Sequence, residues 1–208
     1  MLLQMWTLEQ KAEYMEAVQA RHNRYGLSAE CSLAAFGDIP SCVNQDSDNN
    51  ALWTSLVVAA EAFRYAVTGA QDAYNNATSY FQGMRLLNTL TGIKGLMARS
   101  FVTPNETHSP GGTWHNSTVP GYEGWMWKGD TSSDEVVGHM FAYPIVGKIM
   151  NGSQTEVGQQ ALDLIYDIVY YIVSNNYYLI DVTGKPTSWG SWNPNQLNLD
   201  RGWSDERF

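Results

Sequence analysis

Two stretches of this chain repeat one another, and that repetition constrains the fold more than any other feature. Setting Thr54-Ser55 on Ser132-Ser133 brings Val58 onto Val136, Ala60 onto Gly138, Phe63 onto Phe141 and Tyr65 onto Tyr143. Self-similarity at a fixed period marks units that bury their faces against one another. The first stretch is apolar almost all round (Leu52, Leu56, Val57, Ala59, Ala60, Phe63, Val67), which suits a helix buried between neighbours. Each stretch then leads through a short turn into a one-sided helix. The first of these carries Ala73, Ala77, Tyr80, Phe81, Met84 and Leu87 on its apolar face, the second Val157, Ala161, Leu164, Ile165, Ile168 and Ile172.

Helices are therefore expected near 7–21, 51–68, 71–91, 132–150 and 155–174. Thr7-Leu-Glu-Gln10 reads as a capping box for the first helix, and Ser153-Gln-Thr-Glu156 caps the last. Ser204-Asp205-Glu206 resembles Ser133-Asp134-Glu135 and starts a third unit. The expected fold class is all-α: inner and outer helical hairpins near 51–91 and 131–175, with a third begun at 204. Residues 1–208 read as one segment, an incomplete fragment whose partners include the remaining hairpins of a larger parent chain. Long connections separate the hairpins and gather on one rim. Connections of that length usually carry function.

Composition narrows the partners. The net charge is −9 and the pI about 4.7, with no basic cluster, which argues against nucleic acid. No apolar run is long enough to span a bilayer. Met1-Leu2-Leu3-Gln4-Met5-Trp6 lacks the basic and apolar regions of a signal peptide. Four N-x-S/T sequons, at Asn76, Asn105, Asn116 and Asn151, nevertheless favour an extracellular, secreted glycoprotein. Cys31 and Cys42 share one loop, which they would staple in a secreted protein or occupy as two reduced thiols.

The layout resembles the (α/α) toroids of carbohydrate-active enzymes. Asp48-Asn-Asn-Ala-Leu-Trp-Thr-Ser55, Gly95-Leu-Met-Ala-Arg-Ser-Phe101 and Trp127-Lys-Gly-Asp-Thr-Ser-Ser-Asp-Glu-Val-Val-Gly-His139 also look like a family of bacterial and eukaryotic secreted toroid proteins. The resemblance implies a partial toroid with carbohydrate at the inner-helix N-terminal rim. The implied activity is that of a glycoside hydrolase or polysaccharide lyase; the alternative is a non-catalytic module that binds glycan or serves as scaffold. Two departures stand out: about two and a half hairpins replace the roughly six of a closed ring, and Pro144 inside an inner helix would kink it.

Asp130, Asp134, Glu135 and His139 are the catalytic candidates. An inverting glycosidase needs two carboxylates roughly 6.5–9.5 Å apart, and His139 stands one helical turn beyond Glu135. Ser132-x-x-Glu135 reads equally as a capping box, and His139 equally as a core histidine. Trp53 and Trp127 are candidate stacking platforms, with Trp114, Trp125, Trp189, Trp192 and Trp203 also in or beside the long loops. Arg99 and Lys128 would receive an acidic glycan, and a lyase would use them to neutralise a uronate. Arg21, His22, Arg24 and Tyr25 close the first helix and could reach the same rim. Asp48 is placed with the binding residues or, together with Asn50, as a cap for the first inner helix. Asp46-Ser-Asp48-Asn-Asn50 alternates like a calcium loop, but Ala51 and Val57 stand where the glycine and the acidic ligand belong. No metal and no cofactor are expected.

Overall fold

The computed structural model describes residues 6–151 and 156–199. Its centre is a long helix, α2 (Asn50–Thr68), lying beside α4 (Ser133–Ile149). Each is followed by its partner in a hairpin, α3 (Gln71–Leu90) after α2 and α5 (Val157–Ser174) after α4. Gly69, at φ 67°, ends α2 in the left-handed conformation that closes a helix and lets α3 start two residues later. Several positions paired by the repeat share their environment, although Ala60 is exposed where Gly138 is buried and Tyr65 is half-buried where Tyr143 is enclosed. Val58 and Val136 are buried, Glu61 and His139 are buried, and Phe63 and Phe141 are both exposed.

Between the hairpins the chain forms strands, and this corrects the all-α expectation. About 50% of the described residues are helical and about 15% are strand, in four small antiparallel sheets, so the chain is mixed and not an all-helical toroid. After α1 (Leu8–Arg21) come β1 (Asn23–Arg24) with β2 (Leu27–Ser28), then β3 (Glu30–Ser32) with β4 (Val43–Gln45). Cys31 and Cys42 form a disulfide that ties β3 to the approach of β4. The second long connection builds a three-stranded sheet from β5 (Ser100–Val102), β6 (Trp114–Asn116) and β7 (Met126–Lys128), with β7 in the middle. The third holds the hairpin β8 (Tyr178–Ile180) and β9 (Pro186–Ser191), then the short α6 (Pro194–Leu199). Eight of the nine strands among the described residues are two or three residues long, too short to show a period of two, and the six of β9 include Pro186 and Gly190. Turn chemistry was the signal that marked them: Tyr25-Gly26, Pro110-Gly-Gly112 and Asp181-Val-Thr-Gly184 each precede a strand.

The core runs between the helix pairs and the three-stranded sheet. Phe81, Met84, Leu87 and Leu90 of α3 meet Tyr143 and Val146 of α4, while Phe101 and Trp127 seal the sheet side. Gly138 lets α4 approach α2 closely, because a Cβ there would stand 2.7 Å from the Leu52 Cα. Helix α1 is capped by the Thr7–Gln10 box but buries no residue. The third unit at Ser204 and the residues of the Ser153-x-x-Glu156 cap before Glu156 lie outside the described residues. Glu156 itself makes no side-chain cap bond.

Candidate functional site

The N-termini of α2 and α4 lie side by side, and the segments leading into them converge with β7 and the β8–β9 hairpin. Arg99 joins the pieces. Its Nε donates to the Asp48 carbonyl (2.7 Å), its Nη1 to the Asp130 carbonyl (3.3 Å) and its Nη2 to Asn49 Oδ1 (3.4 Å). Ser132 Oγ donates to the same Asn49 oxygen at 3.1 Å. Buried Asn50 accepts from Ser100 Oγ (2.6 Å) and donates to the Ser28 carbonyl (3.1 Å), locking α2 to β5 and β2.

Lys128, buried at the end of β7, places its Nζ 2.5 Å from Asp48 Oδ1 and 5.6 Å from the centre of the Trp114 ring. The hydrogen bond from Lys128 holds the Asp48 carboxyl below the usual aspartate range. Asp48 itself is largely exposed, so this ion pair has one foot in water. Trp53, on the first turn of α2, is 51% exposed and lines a small cleft with Ser28 and Glu30.

Asp130 adopts φ 50°, the left-handed region that non-glycine residues seldom enter but Asp tolerates. Its Oδ1 accepts the Ser188 N–H at 2.7 Å, and its own N–H points at Asp181 Oδ2 at 3.4 Å. Between them Gly129 carries no side chain for a clear reason. A Cβ there would lie 2.7 Å from His115 Nε2 and 3.3 Å from Asp181 Oδ1. Asp130, Asp181 and His115 therefore surround one point on the rim.

The catalytic quartet does not assemble. Asp130 and partly exposed Asp134 stand at the rim, whereas Glu135 and His139 are fully buried between the helices. Both Glu135 oxygens accept the Ala51 N–H, at 3.2 and 3.1 Å, so the residue caps α2 from the neighbouring helix. The expected capping box with Ser132 is absent, since Ser132 makes no cap bond and turns to Asn49 instead. Burial drives the Glu135 pKa well above its ordinary value, with the backbone bonds and Arg99 opposing. Burial also lowers His139 to about 4. Its Nδ1 contacts the Glu135 carbonyl at 2.7 Å, and Nε2 lies by the Met84 carbonyl without completing a well-formed bond.

Trp127 is 2% exposed and belongs to the core, so it offers no stacking face; Trp114, opposite Lys128 on the neighbouring strand, is the partly exposed one. The guanidinium of Arg99 is committed to the three acceptors above, and Lys128 to Asp48. Neither is held in reserve for an anion. Asn50, expected with Asp48 to cap α2, bonds Ser100 and the Ser28 carbonyl instead, and the N-cap position, Asn49, makes no side-chain cap bond. Asn49, His115, Asp181 and Ser188 entered the site unforeseen. The hairpin turn at Asp181-Val-Thr-Gly184 was the legible signal for the last two. Among the described residues no three His, Cys, Asp or Glu side chains gather as a metal site, and no helix is long and apolar enough to cross a membrane. No family model, curated protein or solved structure matches the chain.

Proposed function

We propose that this chain is an extracellular glycan-binding protein that reads neutral sugars along the rim formed by Asp48, Trp53, Trp114, Lys128 and Asp130. The carrying observation is the Trp114 ring set beside the Lys128–Asp48 ion pair. An indole presents an apolar face to the C–H side of a sugar, while the charged groups beside it exchange hydrogen bonds with hydroxyls. Asp48, exposed and held ionised by Lys128, is an acceptor for such hydroxyls. With Arg99 and Lys128 already paired, a neutral glycan fits better than an acidic one, and the two cations a lyase was expected to use against a uronate are both engaged.

A second reading, glycoside hydrolysis, draws on Asp130 and Asp181, two carboxylate residues brought together from distant parts of the chain. An acid and a base on one rim are what that reaction requires. Binding is favoured because Glu135 and His139 are enclosed in the core, out of reach of any substrate.

The test is a glycan array probed with the whole chain. Retention on neutral oligosaccharides, weakened by about 1–3 kcal/mol in Trp114→Ala, supports binding through the rim. Product release from a retained glycan that vanishes in Asp130→Asn at unchanged affinity moves the assignment to hydrolase. Failure to retain any glycan sinks both.

A further inference from the structure

A cleft of about 420 Å³ opens beside the rim, with Arg24, Asn44, Gln45, Asp46, Glu106 and His108 in its polar lining. It adjoins the site above through His108 and Asp46. The His108 ring stacks on Trp114 with centroids 4.6 Å apart, and Asp46 stands two residues before Asp48. The volume lies near the lower end of the range for small-ligand sites, roughly 300–1,000 Å³.

Its charges decide what it can hold. Arg24, with a side chain 4% exposed, is bound to Glu106 through Nε–Oε1 (3.0 Å) and Nη2–Oε2 (2.9 Å), and to the Phe101 carbonyl. That pair is self-neutralising. Among the described residues no cation pairs with Asp46: Ser109 supplies its N–H at 2.9 Å and its hydroxyl at 2.5 Å, both neutral donors. The cleft therefore keeps a net negative character and disfavours anions.

Its unused hydrogen-bonding capacity is mixed. A carboxylate has about four acceptor sites, so Asp46 retains two beyond those given to Ser109. His108 Nδ1 pairs with the Ser109 carbonyl at 2.8 Å, which makes Nδ1 the donor and leaves Nε2 as an acceptor. The side-chain amide of Gln45, exposed on β4, brings a donor and a further acceptor to the cleft, whereas the unpartnered Nη1 of Arg24 is closed off from it. Acceptors and a donor in one pocket suit groups that both give and take hydrogen bonds. Hydroxyls do this; phosphates and carboxylates do not.

We propose that this cleft is a subsite for a single neutral hexose ring, one residue of the glycan read along the adjoining rim. The assignment rests on the glycan-binding reading and adds to it a location and a size of unit. Saturation-transfer NMR on the whole chain would use methyl β-glucoside, methyl β-galactoside, methyl α-mannoside and N-acetylglucosamine as neutral probes, with glucuronate as the anionic one. At least one neutral probe should bind and shift the ring protons of His108. Gln45→Trp, which fills the cleft from an exposed strand position, should weaken that binding about tenfold or more. So should His108→Phe, which keeps a ring against Trp114 and removes Nε2. Oligosaccharide binding that is indifferent to both changes overturns the subsite and leaves the rim reading standing. Preference for glucuronate overturns the neutral-ring assignment. Absence of binding by any neutral oligosaccharide removes both readings.

Discussion

The carboxylate of Glu135, on α4, accepts the backbone N–H of Ala51, on the first turn of α2, through both of its oxygens. A helix N-terminus leaves its first N–H groups without partners, and here the neighbouring helix supplies one. This contact ties the two central helices together at the end where the candidate site lies. Glu135→Ala should therefore destabilise the chain by about 1–3 kcal/mol through the orphaned Ala51 donor alone, with a further loss from the cavity. Urea denaturation measures it, and an unchanged midpoint would show that the cap contributes nothing.

The same residue predicts a dependence on pH. Its pKa is raised in the folded state, so the folded chain holds a proton that the unfolded chain releases near 4.5. Its contribution is fully present below that value and is lost as pH rises through the raised folded pKa. Glu135→Gln should show a flatter stability profile over that window. Identical profiles for the variant and the parent would contradict the assignment.

His139 acts with the opposite sign. Its pKa falls from 6.5 to about 4 on burial, so acid favours the unfolded chain, which binds the proton more readily. Stability should drop as pH falls from about 6.5 towards 4, by an amount on the order of 3 kcal/mol. His139→Leu should lose that acid-side slope. Urea midpoints from pH 7.5 down to 4.5 distinguish the two profiles.

Trp127 and Trp114 lie on neighbouring strands but should fail differently when truncated. Trp127 is core, so Trp127→Ala should cost about 3–5 kcal/mol of stability. Trp114→Ala should leave the melting curve nearly in place and act on glycan retention. A stable Trp127→Ala chain with weakened retention would reverse these roles.

Gly138 sets the spacing of α2 and α4, since a Cβ there would press on the Leu52 Cα and the Ala51 carbonyl. Backbone cannot step aside as a flexible side chain can. Gly138→Ala should destabilise by about 1–3 kcal/mol or more, against the small gain that replacing a helical glycine usually brings. A stabilised variant would show that the helices separate without cost.

The sequence by itself determined the helices. The apolar positions of α2 to α5 recur at helical spacing over 17 to 20 residues, and a pattern of that length marks both the element and its buried face. It also determined which segments meet, because two short hairpin turns leave the long connections at one end. Only the tertiary structure decided what those connections become. Strands of two or three residues exist through pairing with partners distant in sequence, as Ser100 pairs with Lys128, and no local pattern specifies such a partner. The division of the candidate residues was decided there too. Asp130 and Glu135 are five positions apart and look alike as carboxylates. One lies at the rim, bonded to Ser188, and the other is enclosed where α4 meets α2. Burial is a property of the packed neighbours, and it turned the carboxylate proposed as catalytic into a cap.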